Sequence, residues 1–175
     1  MQEIEAKILE IDRAQIELRL AEAGAVLSFD HELSARFYDL PDGSITRAGG
    51  VLRLRREGSQ TVLTHKALVS LGAAKVMEET ETGVADAHQM DRLLRALGYQ
   101  VIKSTRKRRT QYDLGDVHIA LDAYADELAY IPLFLEIEAP SLDRLHAAAA
   151  QLGYSPADCR DWNTYDLIRH YGSSE

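Results

Sequence analysis

Three stretches of the chain carry two glutamates one residue apart: Glu3 and Glu5 in EIEAKI, Glu79 and Glu81 in EETET, and Glu136 and Glu138 in FLEIE. Two stretches carry bases at the same spacing, Arg53 and Arg55 in VLRLRRE and Lys107 and Arg109 in KRRTQY. In an extended strand residues i and i+2 face one side, so each pair projects from a single face, and alternation adds Lys7, Lys66 and Asp122 to the set. Gathered carboxylates hold hard cations such as Mg²⁺ or Mn²⁺. Gathered bases hold phosphate oxygens, arginine through a two-pronged fork and lysine as a point charge. The two together suit a multiply charged anion bound with a divalent metal. A triphosphate fits, and the metal would stabilise charge developing on its leaving group.

One Glu-x-Glu strand alone reads as a solvated face, and so does LRLR. Three acidic and two basic strands in one chain need a common explanation. The other face of the same strands is apolar: Ile4, Ile8, Leu52, Leu54, Leu63, Ile119, Leu121, Leu135 and Ile137. Helices with apolar stripes also need a surface to cover. Packing them on the outside of a barrel turns the ionic face inward, to line a water-filled tunnel.

The elements follow from periodicity. Residues 2–9 alternate as a strand, and Asp12 with Gln15 forms a helix-start signature before Ile16, Leu20 and Ala23, with Gly24 as the stop. Residues 26–40 are extended up to the turn LPDG. GGVLRLRREG, QTVLTHKA and KVMEETETGVAD read as strands. A helix spans about 86–97 and ends at Gly98. The basic stretch 100–113 is extended, DVHIALDAY and PLFLEIEAP are strands, a helix spans about 141–152 before Gly153, and DWNTYDLIRHYG holds a short helix. Three times a Glu-x-Glu strand is followed by a helix and a glycine. This predicts a single domain of two similar halves, about 1–70 and 75–140, with C-terminal helices over 141–172.

A net charge of −8 argues against general nucleic-acid binding. In KSTRKRRT, alternation sends Arg106 and Arg108 to the face opposite Lys107 and Arg109. No apolar run reaches membrane-spanning length, the N-terminus is not a signal peptide, and the single cysteine, Cys159, suits a reducing compartment, so the expectation is a cytoplasmic protein with no membrane partner. His31, His65 and His118 lack zinc-ligand spacing, and no P-loop or dinucleotide fingerprint occurs. Trp162 and Tyr165 are expected to dock the tail.

The ordered set resembles the CYTH superfamily, also called triphosphate tunnel metalloenzymes. EIEAK is similar to its opening ExExK signature, GGVLRLRREG to its arginine strand, LTHKA to its lysine strand and EETET to its second acidic strand. KRRTQY fits K-x-R-x-x-Y, HIALDAY resembles the aspartate strand and FLEIE the final Glu-x-Glu. NTYDLI is similar to an element of the class IV adenylate cyclase (CyaB-like) branch. The resemblance implies an α+β fold with a closed eight-stranded antiparallel barrel and helices packed outside. It implies that Asp122, Glu136 and Glu138, with Glu5, hold Mg²⁺ or Mn²⁺. Lys7, Arg53, Arg55, Lys66, Lys107 and Arg109 would bind triphosphate, and Glu3, Glu5, Lys7, Glu79 and Glu81 would serve catalysis. Ala35 and Phe37 depart from the family's Q-x-D-x-Y-F-D strand, with Tyr38 on the other face; Arg36 is unexpected, and Met77 stands where a base is frequent. The implied reaction is hydrolysis of inorganic or organic triphosphate. The alternatives are cyclisation of ATP to cyclic AMP and a non-catalytic polyphosphate or nucleotide sensor. Related cyclases pair, so a homodimer is the oligomeric expectation.

Overall fold

The computed structural model describes residues 4–71 and 75–172; Glu3 lies outside them. The order is β1 (Ile4–Ile8), α1 (Arg13–Glu22), β2 (Val26–Asp39), α2 (Ser44–Arg47), β3 (Val51–Glu57), β4 (Gln60–Leu71), β5 (Lys75–Gly83), α3 (Ala87–Ala96), β6 (Gln100–Leu114), β7 (Val117–Tyr124), β8 (Phe134–Ala139), α4 (Leu142–Gln151) and α5 (Thr164–Tyr171). Only α2 and two 3₁₀ turns were not anticipated. Asp12 caps α1 through Gln15 N at 3.0 Å. The glycines after α1, α3 and α4 all adopt positive φ, at 76°, 94° and 81°. Each lets the next residue's N–H reach back to a helical carbonyl, as Ala25 does to Leu20, Tyr99 to Leu94 and Tyr154 to Ala149. The recurring strand, helix and glycine are therefore three copies of one helix-ending motif.

The strands hydrogen-bond in the order β1-β8-β7-β6-β2-β3-β4-β5, and the ladders β1–β8, β8–β7, β7–β6, β2–β3, β3–β4 and β4–β5 are antiparallel. Among the described residues no ladder joins β1 to β5, so the sheet is open where a closed barrel was expected. A physical reason lies at β1. The Lys7 N–H donates to Arg160 O at 2.7 Å and Lys7 O accepts from Arg160 N at 2.8 Å, so the backbone near the C-terminus occupies β1's outer edge.

The chain forms two compact units, Met1–His31 with Lys107–Glu175, and Glu32–Arg106. In the first, Ala6, Ile8, Ile119, Leu121, Leu135 and Ile137 pack under Ile16 and Leu20 of α1 and Leu145, Ala148 and Ala149 of α4. The apolar face of these strands is thus covered by helices, as the alternation requires. At one end of the opposite face, Phe134 and Ile131 pack with Leu167 of α5, Tyr124 and Trp162. Tyr165, by contrast, is about half exposed, at 51%.

In the second unit Tyr38, Leu52 and Leu54 pack with Leu94 of α3. Asp91 of α3 reaches the sheet there, accepting from Tyr38 Oη at 2.7 Å and Arg95 Nε at 2.9 Å and lying 3.3 Å from Arg36. Burial and the Asp91 carboxylate push the Tyr38 phenol up to about 12. Arg36 and Tyr38, puzzling in the sequence, therefore staple a helix to the apolar side of the sheet. No helix among the described residues is long and apolar enough to cross a membrane.

Candidate functional site

In the first unit, register places the predicted residues in rows. Lys7 stands opposite Glu136 and Glu5 opposite Glu138. His118 stands opposite Glu138, and Arg109 opposite Asp122. Directly paired residues in antiparallel strands share a face, so β1, β8, β7 and β6 present one ionic surface, opposite the core. Lys7 Nζ lies 2.9 Å from Glu136 and 3.4 Å from Glu5. Arg109 donates to both Asp122 oxygens, at 2.8 and 2.6 Å, and to Glu136 at 2.7 Å. Lys107 also pairs with Asp122. The centre is withdrawn from water: Asp122 is 0% and Lys7 4% exposed, whereas the Glu5 side chain is 52% exposed.

Burial sets the baseline for these charges and their neighbours decide the outcome. Burial would lower the Lys7 ammonium, but Glu136 and Glu5 outweigh it and hold it above its ordinary value. Burial opposes ionisation of Glu136, but Lys7, Arg109 and Lys107 hold its carboxyl well below the usual range. For Lys107 burial and the Arg109 charge win over Asp122 and lower the ammonium. Stability from the Glu136 charge is therefore present above its unfolded value of about 4.5 and is lost as pH falls through the depressed one. We expect the unfolding free energy to begin falling below about pH 4.5, and Glu136→Gln to flatten that acid limb. Denaturant titrations at successive pH values test this, and an unchanged limb would refute it.

In the second unit, Lys66 lies opposite Glu79, with Nζ 2.7 Å from the carboxylate, and Thr64 opposite Glu81, to which its hydroxyl donates at 2.9 Å. Arg53 sits between Phe37 and Thr64, and Arg55 between Ala35 and Val62. Arg55 pairs with Glu57. Glu57 was missed in the sequence, although it continues the 53, 55, 57 alternation. Arg106 and Arg108 project to the opposite face, as expected: Arg106 lies 3.6 Å from Glu32, and Arg108 grips Asp30 at 2.7 and 3.1 Å. His118 is side-chain exposed and lies 2.7 Å from Asp113.

The carboxylates of Glu5, Asp122, Glu136 and Glu138 are the hard oxygen donors that Mg²⁺ or Mn²⁺ prefers. Among the described residues no three metal-type side chains converge on a single point. Asp122 and Glu136 are instead turned onto Lys7, Lys107 and Arg109.

The CYTH domain family model matches residues 1–158. The chain therefore belongs to the CYTH domain family, whose members are metal-dependent enzymes acting on triphosphates. No functionally curated protein matches it. Among solved structures it resembles a proposed adenylate cyclase from Vibrio parahaemolyticus, at 22% identity and a TM-score of 0.80 over 97% of this chain and 98% of that one. It also resembles the PH1012 protein of Pyrococcus horikoshii, at 22% identity and 0.78 over 95% and 99%. A third is HpAC1 of Hippeastrum, a proposed adenylyl cyclase with a dominant triphosphatase activity, at 17% identity and 0.66 over 97% and 96%. At such identities the likeness concerns the fold.

Proposed function

We propose that the protein is a divalent-metal-dependent triphosphatase that releases phosphate from tripolyphosphate or an organic triphosphate. The observation that carries this reading is the ion-pair network of Lys7, Glu136, Arg109, Asp122 and Lys107, which keeps both the bases a phosphate chain needs and the acids a metal needs in one desolvated surface. A buried charge without a partner is costly, so these groups neutralise one another. Lys7 and Arg109 are then positioned to turn from carboxylate to phosphate oxygens, which bind a guanidinium fork in the same geometry. Asp122, Glu136 and Glu138, with Glu5, would hold the metal, which supplies charge neutralisation at the phosphate chain. Arg53, Arg55 and Lys66 are assigned to triphosphate binding. Glu79 and Glu81 are assigned to a second metal or to orienting the attacking water, Glu81 with its carboxylate held by Thr64.

Hydrolysis is preferred to cyclisation of ATP because it demands less of the site: it needs no pocket that holds adenine. Phosphate and cyclic AMP measured after incubation with tripolyphosphate or ATP, each with Mg²⁺ and with Mn²⁺, tests the proposal. Cyclic AMP as the main product would replace it with the cyclase reading. Tight binding without turnover would replace it with the sensor. Arg55→Ala is expected to raise KM for tripolyphosphate about tenfold with kcat within about threefold, since it removes a contact made equally in ground and transition states. A fall confined to kcat would reassign Arg55 to the chemical step.

A further inference from the structure

We infer that Tyr124 is a positioning residue for the substrate: its ring carries the Lys107 ammonium, and its hydroxyl ties that ring to the start of α5. The inference rests on the triphosphate reading and adds a residue outside the set assigned above. Tyr124 of β7 stands directly opposite Lys107 of β6, and residues paired in this way share a face. The Lys107 ammonium lies over the Tyr124 ring, 5.8 Å from its centre, and also pairs with Asp122. The Asp122 carboxylate is gripped by Arg109 through both oxygens, and on the triphosphate reading it also serves the metal. A carboxylate and a phosphate compete for the same ammonium hydrogens. A ring face does not, because it attracts the cation and leaves the hydrogens on the far side for oxygen acceptors. Tyr124 can therefore hold Lys107 in place while the ammonium changes from carboxylate to phosphate oxygen.

The ring is itself held by two contacts. It packs on the buried Phe134 ring, with centroids 5.9 Å apart and planes tilted by 32°. A hydrogen bond of 3.1 Å joins Tyr124 Oη to Thr164 Oγ1, at the first residue of α5. That helix start is well fixed. Asn163 Oδ1 accepts from Tyr165 N at 2.7 Å and Asp166 N at 3.3 Å, and Asp166 accepts from Asn163 N at 3.0 Å. One turn on, the buried Leu167 packs with Ile131 and Phe134. Packing alone does not call for this arrangement. A phenylalanine at 124 would lie on Phe134 equally well and bring no hydroxyl that needs a partner away from water. The hydroxyl ties the ring, and through it Lys107, to the C-terminal helix.

A double-mutant cycle in tripolyphosphate hydrolysis tests this. Tyr124→Leu keeps apolar bulk and removes the ring. We expect it to raise KM about tenfold with kcat within about threefold, since a ring that steadies the ammonium acts in ground and transition states alike. In a Lys107→Ala background the same substitution should change kcat/KM by no more than about twofold, because the cation it supports is gone. A purely structural role predicts otherwise: loosened packing lowers kcat/KM by the same factor with or without Lys107. Tyr124→Phe keeps the ring and loses the hydroxyl, and should raise KM about threefold. Thr164→Val should match it and add nothing when the two are combined. If Tyr124→Leu does not fold, Tyr124→Phe and Thr164→Val read against Lys107→Ala give the same decision. Calorimetric Kd values for tripolyphosphate should repeat the pattern. Equal losses from Tyr124→Leu with and without Lys107, or a wild-type KM in Tyr124→Leu, would overturn the inference and leave the triphosphatase reading standing. Wild-type protein that neither binds nor turns over tripolyphosphate would overturn both.

Discussion

Glu138→Gln is expected to reduce tripolyphosphate turnover by about a hundredfold or more while leaving the fold intact. Glutamine keeps the shape and one acceptor of the side chain but removes the charge, and a hard divalent cation depends on carboxylate oxygen. Glu138 stands opposite Glu5 on one side and His118 on the other, at the more open end of the ionic face, where Glu5 and His118 are both about half exposed. The loss should appear in kcat, with thermal stability close to that of the wild type. Raising Mn²⁺ should recover part of the activity if the defect is weakened metal binding. A variant that turns over within about threefold of the wild type would remove β8 from the metal site and send the assignment back to Glu79 and Glu81.

The alternation that suggested this experiment was legible because a strand has only two faces. Once Ile4, Ile8, Ile137 and Leu135 are given to a core, Glu5, Lys7, Glu136 and Glu138 can only lie opposite it. The same parity separated Arg106 and Arg108 from Lys107 and Arg109. Register was not legible. Nothing local says that Lys7 meets Glu136 rather than Glu138, because sliding β1 by two residues preserves every face. Partners across the chain were hidden for the same reason: Asp91 is an ordinary helical aspartate until Tyr38 and Arg36 are seen against it. The pairing on the outer edge of β1 depends on Arg160, which sits in an irregular segment with no periodicity to read.

Asp122→Ala is expected to destabilise the protein by about 3–5 kcal/mol at pH 7, the largest stability loss of any single charge on this face. The carboxylate is fully buried and is shared by Arg109, through both oxygens, and by Lys107. Removing it leaves two desolvated cations with Glu136 as their remaining acidic neighbour, and Glu136 is already engaged by Lys7. The Lys107 ammonium, lowered by burial even with Asp122 present, would be driven lower still without it. The variant should therefore recover stability as pH rises and Lys107 releases its proton, since the native state then binds fewer protons than the unfolded one. Asp30→Ala provides the contrast on the opposite face. Its two-pronged pair with Arg108 has similar geometry, but the Asp30 and Arg108 side chains are 36% and 58% exposed, so water screens the interaction and a loss of no more than about 1 kcal/mol is expected. Urea unfolding of both variants at pH 7 and pH 9 measures the difference. Equal losses would show that the Asp122 cluster is as well hydrated as the surface pair. A dry ionic face would then no longer hold, and with it the account of why Lys7 and Arg109 are kept charged and poised for a phosphate chain.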